Sequence, residues 1–209
     1  MEAYGLNTVT EEGRNIWQVI YSHSTDTENL EGSDLTVTGL YVGRFQPFHL
    51  GHLEVIKLIL SKVDQLVIVV GSAQYSHTEK NPFTAGERIL MMREALKEAK
   101  ISLDRVQIIP ITDIGVHSIW ASHVTSYTGK CDLVFSNDPL TTQLFKEAGV
   151  KVEKIPFFKR EAYSATEIRK RVLLNQDWRE LVPKSVSKVI DSVEGVKRIK
   201  MLAQTDNPF

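Results

Sequence analysis

The chain has 209 residues, 42% hydrophobic and 24% charged, with 25 Lys and Arg against 26 Asp and Glu for a net charge of −1. That length and mix suit one globular domain with a sizeable core, with room for an appendage. The near-zero charge gives no bulk electrostatic reason to bind nucleic acid or an anionic membrane, no apolar run approaches the ~20 residues of a membrane span, and a single cysteine, Cys131, excludes an internal disulfide or a cysteine-rich zinc site.

Residues 1–34 are rich in Thr, Ser, Glu, Asn and Gly and lack a basic segment followed by an apolar one, so an N-terminal extension, partly mobile, is expected rather than a secretory signal. Only IWQVIY, at 16–21, is apolar enough to dock as a short strand or helix. From residue 35 onward, strand and helix patterns alternate. A strand is expected over 35–42 and a helix over 51–61. QLVIVV, at 65–70, is an uninterrupted apolar run, as expected of a strand covered on both faces. The pattern over 84–100 is helical, with Thr84 and Glu87 at capping-box spacing. A strand over 105–110, a helix over 118–127 and a short strand over 132–135 follow; the last makes Cys131 a buried structural thiol, compatible with a reducing cytoplasm. A helix over 139–148 has Pro139 at its start and Gly149 at its end, and a fifth strand spans 150–155. Beyond Ser164 the chain reads as helical to about residue 203. Repeated βα units predict an α/β fold with a five-stranded parallel sheet, C-terminal helices, and ligands outside the carboxyl ends of the strands.

The chemistry concentrates where the first strand meets the first helix. Gly43 ends the strand, a loop with Arg44, Gln46 and Pro47 follows, and His49-Leu50-Gly51-His52 opens the helix. Histidines three apart lie on one side of a first turn. Free N–H groups and the positive end of the helix dipole favour an anion there, and Gly51 leaves room for a ligand to approach the backbone. One histidine would read as a surface or capping residue. Two, with Arg44 upstream, describe a seat of cationic side chains for a polyphosphate. Ser164 and Glu167 have capping-box spacing, by themselves a plain helix start, but Arg169 adds a fork of donors suited to phosphate. Lys170 and Arg171 read as a solvated basic face. The GSAQYSH run at 71–77 lies at the carboxyl edge, a plain turn or a close approach to ligand. Trp120 suits either a core or a platform for an aromatic base, and His77, His117 and His123 are by default surface residues. Asn137 and Asp138 either cap the next helix or reach a nucleotide. No GxxxxGKS/T occurs, and no GxGxxG follows the first strand.

GRFQPFHLGH resembles the (H/T)xGH motif of the nucleotidyltransferase superfamily, and SATEIR, with Ser164, Thr166 and Arg169, resembles its SxTxxR element. With GSAQYSH, NPFTAGERILMM, WRELVPKSVSKVID and GVKRIKMLA, the stretch 40–203 is similar to the archaeal-type nicotinamide-nucleotide adenylyltransferases. The resemblance implies a Rossmann-like or flavodoxin-like doubly wound fold. It implies adenylyl transfer from ATP to nicotinamide mononucleotide, giving NAD and pyrophosphate with Mg²⁺, by a homo-oligomer that is commonly a hexamer. Arg44, His49, His52 and Arg169 would hold ATP phosphates, and Ser164 and Thr166 the triphosphate end. Gly43 and Phe45 would lie where backbone meets nucleotide. Trp120 would stack on the nicotinamide ring, with Ser72 and Asp113 nearby. Lys80-Asn81 stands where the family often has Arg-Asp, and His117 where Asn is frequent. The histidines are expected as donors to phosphate, with no protein residue expected to ligate metal. Transfer to another small phosphorylated acceptor, or a sensor that binds nucleotide without turnover, are the alternatives.

Overall fold

The structure, a computed structural model, describes residues 36–156 and 163–205; the expected extension over 1–34, with its apolar segment, lies outside the described residues. The sheet follows from the two-faced burial of its strands. In β2 (Gln65–Val70), Leu66, Ile68 and Val70 enter one core, and Val67 and Val69 enter the other. A strand with both faces apolar is stable only with helices above and below. β1 (Thr38–Gly43) runs parallel to β2 on one side, with Gly43 opposite Val70, and to β4 (Leu133–Phe135) on the other, with Tyr41 opposite Phe135. β3 (Val106–Pro110) and β5 (Lys151–Glu153) complete a five-stranded parallel sheet of order β3-β2-β1-β4-β5. The chain leaves the β3 edge and returns beside β1 as β4, so the switch point, where such folds bind ligands, lies between β1 and β4.

One face is covered by α1 (Leu50–Leu60) and α2 (Ala85–Glu98) together with the C-terminal helices α5 (Ala165–Leu173), α6 (Lys184–Ser192) and α7 (Gly195–Thr205), around Ile56, Ile68, Met91 and Val186. The other carries α3 (Trp120–Thr128) and α4 (Pro139–Glu147), around Leu40, Val69, Val124 and Phe145, with Cys131 buried at its margin. Thr84 and Glu87 form both bonds of the expected capping box, at 3.2 and 2.8 Å. Asp138 caps α4 by accepting from the Thr141 N–H at 2.7 Å. At α5 only half a box forms: the Glu167 N–H reaches Ser164 Oγ at 3.1 Å, but the Glu167 carboxylate pairs with Arg171.

Some expected elements differ in their bounds. The strand expected over 150–155 keeps only Lys151–Glu153, because the Val150 N–H is spent on Phe145 O and the Ile155 N–H on the Asn137 side chain. The helix expected over 118–127 begins at Trp120, behind a 3-10 turn, His117–Ile119. The helical C-terminal run divides into three helices. Asn175 and Glu194 adopt left-handed φ of 56° and 52°, and Pro183 precedes α6. The Lys184 and Ser185 N–H groups at the start of α6 donate to the Glu98 carboxylate at the end of α2. Arg198 on α7 grips Glu87 through two bonds, 2.7 and 2.9 Å.

Candidate active site

The two histidines of the first motif cap α1 with each other. His49 is the N-cap residue, and its Nδ1 accepts from the His52 N–H at 3.3 Å. His52 Nδ1 accepts in return from the His49 N–H, also at 3.3 Å. This is a capping box built from imidazoles. The rings stack with centroids 3.5 Å apart, and Phe45 meets the His52 ring edge-on at 4.8 Å. Each Nδ1 is an acceptor, so the pattern assigns the ring proton to each Nε2. Burial pushes His49 down to about 3, and burial together with the neighbouring His49 holds His52 well below the ordinary imidazole value. The expectation of cationic histidines is therefore corrected: they are neutral Nε2–H donors, because the proton that would charge them would break the cap inside a nonpolar wall. Gly51 lines the histidine cavity and is closely packed as well. A Cβ there would meet Tyr163 Cβ at 3.0 Å and His49 Nδ1 at 3.1 Å, so the glycine makes room for the imidazole.

The pair lines a cavity of about 210 Å³, closed by Tyr163, Asn137, Asp138 and Ile155. Arg169, from α5, donates through Nη1 to Gln46 O at 2.7 Å, which ties it to the loop that delivers His49. Burial and the nearby Arg44 lower its pKa, and Glu79 opposes them. Thr166 Oγ1 lies 3.5 Å from Arg169 Nη2. Ser164 Oγ accepts the Glu167 N–H in its cap, which leaves its own O–H to donate. Gln46 is itself buried, and its amide holds both backbone groups of Phe83, at 2.8 and 2.9 Å.

A second cavity, of about 440 Å³, is lined among others by Gly43, Arg44, Ser72, Asp113, His117 and Trp120. Asp113 is fixed from both sides. Ser72 Oγ and N–H donate to its carboxylate at 2.7 and 3.1 Å, and the Gln74 amide bonds its backbone N–H and C=O. Val42 and Asp138 line both cavities, so the two adjoin at the β1–β4 switch point.

Three other residues of the expected site also do structural work. The Phe45 side chain is buried in the core, at φ 53°, and a Cβ on Gly43 would meet its ring at 2.7 Å. Gly43 thus accommodates Phe45, which in turn supports His52. Asn137 spends its amide on the Ile155 backbone, at 2.6 and 3.0 Å, and clamps β4 to the segment after β5. Lys80 and Asn81 line neither cavity.

Arg88 escaped the sequence reading. It is wholly buried, and burial lowers its pKa to about 10, so it stays charged at neutral pH. Its guanidinium holds four carbonyls: Arg44 and Gly71 at 2.8 Å, Ser72 at 3.1 Å and Thr84 at 3.2 Å. The signal was periodicity: Arg88 falls on the buried stripe of Met91, Met92 and Ala95. Among the described residues no three His, Cys, Asp or Glu side chains group to hold a metal ion.

A cytidylyltransferase-like family model matches residues 40–171. The chain is 54% identical over 168 residues to the nicotinamide-nucleotide adenylyltransferase of Saccharolobus solfataricus, covering 80% of this chain and 98% of that one. It is 48% identical over 169 residues to the nicotinamide-nucleotide adenylyltransferase of Methanolobus tindarius, covering 81% and 96%. Among solved structures, a bifunctional NMN adenylyltransferase/ADP ribose pyrophosphatase from Francisella tularensis, complexed with AMP and a manganese ion, superposes with a TM-score of 0.61 at 22% identity. That match covers 84% of this chain but 57% of the other, and it bears on the fold.

Proposed function

This chain belongs to the nicotinamide-nucleotide adenylyltransferases, within the wider cytidylyltransferase-like family, and from that premise we propose that it transfers the adenylyl group of ATP to nicotinamide mononucleotide, forming NAD and releasing pyrophosphate. The observation that carries the proposal is the pair of adjoining cavities, one walled by neutral histidine donors at a helix N-terminus, the other by Trp120, Asp113 and Arg44. The larger, about 440 Å³, falls in the ~300–1,000 Å³ range of small-molecule sites and takes the pyridine nucleotide. The smaller, about 210 Å³, lies below that range and takes phosphates only.

In this reading the 5′-phosphate of the acceptor attacks the α-phosphorus of ATP in line. A phosphate monoester is already a nucleophile, so no general base is required. The protein aligns two anions and neutralises charge on the reacting phosphorus. The His49 and His52 Nε2–H groups donate to phosphate oxygens and stay protonated throughout, since their Nδ1 atoms are held by the backbone. Arg44 and Arg169 supply the positive charge the histidines do not. Trp120 offers its ring to the nicotinamide, and the Ser72–Asp113 pair fixes the wall beside it. A divalent metal, Mg²⁺ in this proposal, would arrive with the nucleotide and neutralise phosphate charge. We extend the proposal to a homo-oligomer, of the hexameric kind the resemblance implies, working in the cytoplasm. Among the described residues no helix is long and apolar enough to cross a membrane.

The test is incubation with ATP, Mg²⁺ and each of nicotinamide mononucleotide, nicotinic acid mononucleotide, flavin mononucleotide and phosphopantetheine, measuring pyrophosphate. Release with the nicotinamide nucleotide is expected. Release only with flavin mononucleotide or phosphopantetheine means a different acceptor, and release with none means a nucleotide sensor.

A further inference from the structure

Arg88 is a positive charge with no exposure, and among the described residues no carboxylate is bonded to it. Burying a guanidinium is costly, and an apolar side chain on the stripe of Met91 and Met92 would pack there without that cost. What the guanidinium does instead is visible in its four bonds. They join the Arg44 turn after β1, the Gly71–Ser72 turn after β2 and the start of α2 at Thr84. Through Ser72 the tie extends to Asp113, after β3. Three of the four residues whose carbonyls it holds, Arg44, Gly71 and Ser72, line the larger cavity, and none lines the histidine cavity. A planar fork with five N–H donors meets these carbonyls in fixed directions; an ammonium group does not.

We propose that Arg88 is a positioning residue for the acceptor half of the site: its guanidinium sets the spacing between the Arg44 turn and the Ser72–Asp113 wall, and so determines how the mononucleotide is held. The inference rests on the adenylyl-transfer reading and adds to it a residue that touches neither substrate. The carbonyls at the strand ends, which would repel an anion, are turned down onto Arg88, and a fixed positive charge lies beneath the floor of the cavity. Asp113 and Arg44 both lie close enough to act on that charge electrostatically.

The experiment measures both Michaelis constants in the wild type, Arg88→Lys and Arg88→Met. Arg88→Lys keeps the charge and loses the fork, so the KM for nicotinamide mononucleotide should rise about tenfold, the size of one lost charged hydrogen bond, while the KM for ATP, reached only through the Arg44 turn, rises by much less. Arg88→Met should raise the acceptor KM further. In the wild type, the Arg88 Nε–H resonance should move on saturation with nicotinamide mononucleotide and hardly move with ATP; this measurement decides the matter if neither variant folds. Equal increases in both KM values, a fall in stability with kinetics unchanged, or an Nε–H signal that responds equally to both ligands would each overturn the assignment. A wild-type enzyme that forms no NAD refutes the adenylyl-transfer reading instead, and this inference falls with it.

Discussion

Lowering the pH should destabilise this fold through a histidine that takes no part in an ion pair. His49 is buried with its Nδ1 accepting the His52 N–H, and its pKa is held down to about 3 against 6.5 in an open chain. Its folded pKa is depressed, so the unfolded chain takes up the proton first as pH falls. The contribution is complete above pH 6.5 and is lost progressively toward pH 3. At pH 5 an unfolded imidazole is almost fully protonated and the folded one is not, so the loss is about 2 kcal/mol from His49 alone. The figure barely changes for any folded value below about 4, because it depends almost wholly on the unfolded titration. His52 acts in the same direction. Against a total stability of about 5–15 kcal/mol this is readily measured. The assay is urea unfolding from pH 7.5 to 5, comparing wild type with His49→Asn. Asn retains an N-cap acceptor without titrating, so the difference between the two proteins isolates the imidazole from every carboxylate. The wild type should lose about 2 kcal/mol more than the variant by pH 5. Parallel losses in both proteins would refute the neutral capping box.

His52→Ala removes one phosphate donor and should lower turnover by roughly 10²–10³, while loss of its capping bond costs only about 1 kcal/mol of stability. Full activity in that variant would sink the phosphate seat. Trp120→Ala should weaken nicotinamide mononucleotide up to about tenfold, the range of an aromatic stack, and leave ATP binding unchanged by calorimetry; equal losses for both would remove the stacking role. A chelator should abolish turnover without moving the melting temperature of the nucleotide-free protein, since a metal that arrives with ATP stabilises nothing in its absence. A drop in melting temperature would mean a metal site within the protein.

Most of the fold was legible because local signals agreed with each other. The two-sided apolar run of β2, the Thr84–Glu87 box, and the Pro139 and Gly149 limits of α4 each named an element and its ends. The site was legible as motifs, not as chemistry. Histidines at a helix start suggest charge; that they are neutral depends on Phe45 and on mutual stacking, which spacing alone does not reveal. Asn137 gave no sign of its work, since its partner Ile155 is distant in the chain and meets it only once β4 and β5 are paired. The same clamp shortened β5, since the Ile155 N–H goes to the Asn137 side chain. Arg88 sits as a charge on an apolar stripe, and its burial is explained only by carbonyls that the turns after β1 and β2 bring to it.

Two imidazoles that never give up or take a proton at Nδ1 cannot serve as covalent carriers of the adenylyl group, so the transfer must be direct. That is tested by running the reaction with ATP made chiral at the α-phosphorus by sulfur substitution and reading the configuration of the dinucleotide formed. A single in-line displacement by the acceptor phosphate inverts the configuration, and inversion is the predicted result. Retention would require two displacements through an adenylyl-enzyme, with His49 or His52 as nucleophile, and would contradict the account.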